Sequence, residues 1–477
     1  MLILLKIVEL MFLTNFLTIL LTVRHKKLPR KLGMIMLLVG LLWVLVLIFQ
    51  LEPQSLFIFN IVSRNFIWAA FSIDKLSFYF CVMVFFLTLI CISLYNSRNY
   101  NQLVYLMVFF LMGFFLFHVF SSLNMLTFYS FFEATLLPMV LIILFWGSRQ
   151  RKLHAMYMFF FYTVFGSILI LMGLLFHFLF VGSLTDSFVT RLELCIGELA
   201  IWMWFLLFFG FGFKVPVVPF HTWLPEAHVE APTVGSIILA GLLLKVGTFG
   251  MLRFMFPILN LLNLRLQNVV YMISIFSLYY ASFVAIRQID IKKIIAYSSI
   301  AHMSFVLLGM FSMSFFGFVG SYFTMLSHGI VAPALFFLVG VIYDRYGTRV
   351  ITNFGGLVSV MPIYAVLFFI FILANIGFPG TSNFIAELTV LLGIFSSNIF
   401  IGLLATFSII LSRIYSLWMY NRVFFGSLSK VLVGFFDLTN LEFFISCFFL
   451  SLVVFGGLVP NFITSNAELE FIKYSII

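Results

Sequence analysis

Charge is what this sequence has least of. Only 9% of its 477 residues are Asp, Glu, Lys or Arg, where a water-soluble domain carries roughly a quarter. Such a chain cannot cover a surface that faces water. Cysteine is scarce too: Cys81, Cys91, Cys195 and Cys447 make up the set. They form no CxxC pair, and their spacing suits neither an iron–sulfur cluster nor a zinc site, so they read as small packing residues. Phosphate-cradling loops are missing as well. Gly210-Phe211-Gly212-Phe213 stops short of GxGxxG inside an apolar run, and no Walker A pattern occurs. Together these absences exclude a nucleotide-binding or electron-carrying role for this chain.

What remains is hydrocarbon. Apolar residues make up 64% of the sequence and phenylalanine alone accounts for 68 positions; the mean hydropathy is +1.21. A bilayer crossing takes about 20 mainly apolar residues. Apolar runs between polar interruptions give about 14 transmembrane helices, from Leu4–Val23 to Phe443–Val459, in an all-α polytopic membrane protein. The spans that matter below are the fifth (Leu123–Trp146), seventh (Ala200–Phe220), eighth (Pro232–Leu252), tenth (Ile294–Phe311), eleventh (Phe315–Tyr343), twelfth (Val360–Leu392) and thirteenth (Phe400–Met419). The basic cluster Arg24-His25-Lys26-Lys27 follows the first apolar stretch with no small-residue cleavage site before it, which fits a retained helix.

Basic residues give the orientation. Of the 26 Lys and Arg, 16 fall in connections after odd-numbered spans and 7 on the opposite face; Lys214, Lys245 and Arg413 lie inside spans. One missed helix would scramble that bias, which makes it a topology signal. The connections after odd spans face the side that retains positive charge, and both termini face the other. The +10 net charge thus reads as topology and not as a nucleic-acid patch.

Two spans are interrupted. The seventh meets Pro216 and Pro219, the twelfth Gly377-Phe378-Pro379-Gly380. Proline removes a donor and clashes with the preceding turn, so each helix should break there. Breaks five helices apart predict two inverted five-helix repeats, helices 4–8 and 9–13, with a transport path at the breaks. The expected divisions are residues 1–100 (a three-helix addition), 101–265 and 266–422 (the repeats), and 423–477 (the last helix and tail).

Ionised groups at the bilayer centre cost about 2.5–3.5 kcal/mol on insertion scales, so those present need a reason. Glu133 sits mid-fifth span, Lys214 just before the break of the seventh, and Lys245 deep in the eighth. A Glu133–Lys214 ion pair holding helices together is one reading. Lys245 has no spare acid in helices 4–8, and an ammonium without a counter-charge in lipid suits a carrier that takes up and releases protons. Lys214 falls at the C-terminal end of a half-helix and Glu387 in the first turns of another, each where the helix dipole favours its charge. His302 in the tenth span and His328 in the eleventh have serines beside them; they are relay candidates or satisfied core histidines. His221 and His228 flank the break after the seventh span as a possible proton inlet. His118 and His177 read as structural, and Arg413 stays ambiguous between snorkelling and pairing.

These residues carry a resemblance. Lys214 to Gly235, KVPVVPFHTWLPEAHVEAPTVG, is similar to the broken seventh helix and following loop of the antiporter-like membrane subunits of respiratory complex I. Ile289 to His302, IDIKKIIAYSSIAH, looks like their tenth helix, and SHG in the eleventh and AEL in the twelfth also match. The likeness covers roughly Leu103 to Met419, and the first two motifs are highly specific. The family includes mitochondrial chains 2, 4 and 5 and sodium/proton antiporter subunits. Chains 2 and 5 typically carry lysine at the twelfth-helix position; Glu387 fits the remaining branch, and 477 residues leave no room for the long lateral helix of chain 5. Glu226, where animal members often have lysine, is a departure.

The resemblance implies a function. Glu133, Lys214, Lys245, His302, His328 and Glu387 would form a hydrated proton relay through a membrane arm, with Glu133 tuning Lys214 and Glu387 ending the path toward the non-matrix side. NADH, flavin, iron–sulfur and quinone chemistry would belong to other subunits, with no cofactor or metal on this chain. Expected partners are the other complex I membrane-arm subunits, especially chains 2 and 5, and a lipid such as cardiolipin. The expected location is the mitochondrial inner membrane, both termini on the intermembrane-space side. Two alternatives stay open: a sodium/proton antiporter subunit that works without electron input, and a passive structural subunit.

Overall fold

The computed structural model describes residues 33–35, 37–41, 71–94, 102–148, 150–181, 198–429 and 436–476. The first expected span, most of the second, Cys195 and the N-terminal basic cluster lie outside the described residues. Elsewhere the chain is helical, as the apolar runs require, and it is a multi-pass membrane protein. Ten described helices are long and apolar enough to cross a membrane, and three shorter apolar ones accompany them. The ten correspond to the third to sixth, eighth to eleventh, thirteenth and fourteenth expected spans. The shorter ones fall on the seventh and twelfth, where the prolines predicted breaks.

The helices are α1 (Lys75–Ser93), α2 (Gln102–Ser121), α3 (Met125–Trp146), α4 (Lys152–Val181), α5 (Glu198–Lys214), α6 (Trp223–Glu230) and α7 (Thr233–Ile258). There follow α8 (Asn260–Arg287), α9 (Ile291–Phe311), α10 (Phe315–Tyr346), α11 (Pro362–Asn375), α12 (Ser382–Ser397), α13 (Ile399–Phe424), α14 (Asn440–Leu458) and α15 (Asn461–Ile476). They divide into two compact units. The first holds residues up to Phe211 together with Phe249–Leu259, the second Gly212–Thr248 and Asn260–Ile477.

Phenylalanine fills the first unit. Phe80 stacks on Phe120 at 5.0 Å between ring centroids, and Phe249 meets both rings edge-on. The unit also holds a partly buried ion pair. Asp74 precedes α1, where the dipole favours a carboxylate, and its Oδ2 accepts from Arg253 at 2.6 Å. Arg253, read from sequence as a loop residue, is inside α7. In α3 the missing amide of Pro138 leaves the Ala134 carbonyl without its intrahelical donor, and the helix is interrupted at Thr135. That places Glu133 beside a kink.

The second unit is built around α10, which packs against the start of α7 and against α9, α11, α12, α14 and α15. Ser314 caps it by accepting from the Gly317 amide at 3.1 Å, and Gly347 ends it in a left-handed conformation. Its 32 residues give a rod of about 48 Å. Pro333 lies inside it and frees the Gly329 carbonyl, next to His328, from the helix ladder. Against α12 the two backbones touch: a Cβ on Gly393 would collide with the Gly317 amide nitrogen. Small residues permit such contact in membrane helices.

Candidate functional site

The second unit brings four of the expected relay residues together, each from a different helix. Lys245 on α7 is fully buried. It follows a π-helical turn, Leu239–Leu243, of a kind that recurs at functional sites. The ammonium group folds back on that turn, donating to the Ala240 carbonyl, and lies 2.8 Å from Nδ1 of His328 on α10. Nε2 of His328 lies 3.2 Å from Oγ of Ser299 on α9. The His302 ring, also on α9, is 5.2 Å from the His328 ring, centroid to centroid. Nδ1 of His302 faces Oε1 of Glu387 on α12 at 3.7 Å. That last gap exceeds a direct hydrogen bond, and a small approach or a bridging water closes it.

The break between α11 and α12 positions Glu387. Gly377 turns the chain with φ of 72°, a region that side chains rarely adopt. A Cβ there would sit 2.6 Å from Oε2 of Glu387, so the carboxylate lies against bare backbone. Because α12 starts at Ser382, Glu387 is in its second turn, where the helix dipole has faded. Packing against the break and the approach to His302 fix it instead.

Chemically, the Lys245–His328 contact serves either location of a proton. An ammonium donates to an imidazole acceptor; a neutral amine accepts from Nδ1–H. The Ser299 hydroxyl is equally bivalent toward Nε2, so no heavy atom has to move when the tautomer changes.

The other expected residues are placed separately. Lys214 is the last residue of α5, buried, at the helix end that suits a cation. Glu133 is half-buried in the first unit. His221 sits edge-on to Tyr280 at 5.1 Å, and burial holds its pKa below the usual histidine value against an opposing bond to the Pro219 backbone. His228 on α6 stacks on Phe336 at 4.3 Å. Burial first, then the charges of Lys292 and Lys245, hold its pKa well below the usual value, so it rests neutral.

A polar cluster around His228 was not legible as a site. Lys292 is buried; its Nζ donates to the Ala231 carbonyl at 3.0 Å and to Ser236 Oγ at 3.3 Å, and Ser236 Oγ donates to the His228 carbonyl. Arg349, also buried, donates to the Val229 carbonyl. Both cations were read as topology markers. A signal did exist: lysine in the first turn of α9 opposes the helix dipole, a placement that asks for another cause. Glu226, the departure from the family pattern, meets Lys293 at 2.8 Å. That pair is partly exposed and worth about 1 kcal/mol at most.

Comparison with known proteins gives the family. Residues 122–414 match the family model described as NADH:quinone oxidoreductase/Mrp antiporter, TM. An NADH-ubiquinone oxidoreductase chain 4 from Acanthamoeba castellanii is 44% identical over 89% of this chain and 85% of its own length. The Marchantia polymorpha chain 4 is 47% identical over 82% and 79%, and an NADH-quinone oxidoreductase subunit M from Rickettsia felis is 39% identical over 83% and 81%. A chain of respiratory complex I from Thermus thermophilus superposes with a TM-score of 0.85 at 27% identity, covering 97% of this chain and 99% of that one. A chain of the Mrp complex from Dietzia sp. shares the fold, with a TM-score of 0.88 at 18% identity over 98% and 96%. The chain therefore belongs to the NADH:quinone oxidoreductase/Mrp antiporter membrane-subunit family, on the branch formed by the chain 4 subunits.

Proposed function

We propose that this chain is a proton-translocating membrane-arm subunit of NADH:ubiquinone oxidoreductase, driven by redox chemistry on other subunits. One observation carries the reading: Lys245, His328, His302 and Glu387 form a closely spaced buried line across α7, α10, α9 and α12. An ion pair is enough to hold two helices together. A line of titratable groups from four helices, two of them histidines with pKa values ordinarily near 6.5, exceeds what holding requires and is what proton transfer needs. Burial of each group at considerable cost makes a purely structural role a poor exchange.

Protons reach Lys245 past His228 and Lys292, which surround the connection between α6 and α7, and leave by way of Glu387. Glu133 and Lys214 are assigned to the input end, on the argument from charges placed inside spans. The inverted repeats at 101–265 and 266–422 supply the frame, supported by the two broken helices. The chain works beside other complex I membrane subunits; chains 2 and 5 as neighbours, and cardiolipin as bound lipid, follow from the family likeness. A mitochondrial inner-membrane setting follows from the family likeness, and the bias of basic residues supports both termini on the intermembrane-space side. NADH, flavin, iron–sulfur and quinone sites are assigned to other chains.

The test is purification of the tagged chain from mild detergent. We expect it to bring down an assembly that oxidises NADH with ubiquinone and pumps protons when reconstituted into vesicles. Isolation as a free-standing exchanger of sodium for protons would overturn the proposal.

Gly377→Ala tests the geometry at the exit. The left-handed backbone costs a non-glycine residue about 1–3 kcal/mol, and the new methyl displaces the Glu387 carboxylate. The expected outcome is a lower melting temperature for the complex and several-fold slower proton pumping per complex. Native pumping would show that the carboxylate position is immaterial.

A further inference from the structure

Arg413 is a charge that the relay does not use. It is exposed on α13, fourteen residues after Ile399 and eleven before Phe424, hence about 21 Å and 16 Å from the helix ends. The hydrocarbon layer is about 30 Å thick. Toward the Phe424 end, Arg422 packs over the Trp418 ring at 5.9 Å, an aromatic–basic pairing typical of the headgroup level. Arg413 is nine residues deeper, about 13–14 Å, beyond what a snorkelling side chain spans. A lipid phosphate therefore does not reach it.

Nothing described within the chain satisfies it either. Its guanidinium makes no hydrogen bond or ion pair among the described residues. Glu387, on the adjoining α12, is within electrostatic range, but its carboxylate is turned to Gly377 and His302. Around Arg413 the outward stripe of α13 is apolar: Leu403, Phe407, Ile410, Ile414 and Leu417 are all exposed. An apolar helix face with one unmatched cation at mid-depth has the form of an interface centre, where a charge pair is sealed by surrounding contacts.

We infer that the α13 face centred on Arg413 docks a neighbouring membrane subunit that presents an aspartate or glutamate from a transmembrane helix at mid-depth. The pairing is a charge-assisted guanidinium–carboxylate contact. The inference rests on the proposed place of this chain in a membrane arm and deepens it by naming the surface and the chemistry of the contact.

Arg413→Lys in the assembled complex supplies the test. The variant keeps the cation and introduces an amine, which a membrane-permeant carbodiimide condenses with an adjacent carboxylate. An amide forms, the carboxylate loses one oxygen, and the carbodiimide leaves as its urea. We expect one cross-linked peptide joining position 413 to an acidic residue in an apolar span of another polypeptide, absent from the unsubstituted protein. Arg413→Leu, which suits lipid better than arginine does, should lower retention of that neighbour in detergent about tenfold. A link only to Glu387 of the same chain, or no link together with native retention in Arg413→Leu, overturns the inference. A link to a polypeptide that belongs to no NADH-oxidising assembly keeps the docking surface and overturns the proposed function.

Discussion

Lys245→Met is expected to lower proton translocation at least 100-fold, in keeping with the loss of a group that carries a proton in the transition state, while the complex still assembles. Methionine fills much of the same fully buried space and adapts its shape, so the folding cost is confined to two orphaned polar groups. The Ala240 carbonyl and His328 Nδ1 lose their partner, at about 1–3 kcal/mol each. Lys245→Arg sharpens the result. A guanidinium stays protonated under all working conditions, so it preserves the charge but not the ability to release a proton. Both variants should be inactive in vesicle pumping measured by a pH-sensitive dye. Native pumping in Lys245→Arg would show that Lys245 acts as a fixed charge and would favour the structural reading.

Glu387→Gln is the second large effect. The amide matches the carboxylate in shape, so contacts with the break at Gly377 persist, but it cannot accept a proton from His302. We expect a loss of ten- to 100-fold in pumping, with assembly and melting temperature close to native. Glu387→Asp should fall between, since one fewer methylene draws the carboxylate away from a gap that is already 3.7 Å. The informative measurement is the ratio of protons moved to NADH oxidised in the reconstituted complex. An unchanged ratio and rate in Glu387→Gln would remove this residue from the relay.

Much of the site was legible because lipid makes polar residues conspicuous. Lys245, His302, His328 and Glu387 stood out against apolar sequence, and the prolines and glycines at 216–219 and 377–380 announced the breaks. The pairings were less accessible. Lys245 and His328 are 83 positions apart, and one sequence offers no measure of which polar residues meet. The Asp74–Arg253 pair was hidden for a different reason. Each residue lies at the edge of an apolar run, where charge is ordinarily explained by the headgroup region, and only the fold shows that they neutralise each other. Lys292 was mistaken in the same way. The π-helical turn before Lys245 has no compositional signature, because any apolar sequence accommodates it once the surroundings require it.

The two-sided grip on His328 sets a limit on how the relay can run. With Nδ1 held toward Lys245 and Nε2 toward Ser299, the ring can receive a hydrogen ion at one edge and discharge it from the other without rotating. Having done so, it is left in the opposite tautomer and cannot repeat the hand-off until a half-turn of the ring restores the first, since a hop in reverse returns the proton to its source. The ring thus behaves as a single-shot device that must be re-cocked, and each cycle of the machine has to include the movement that re-cocks it.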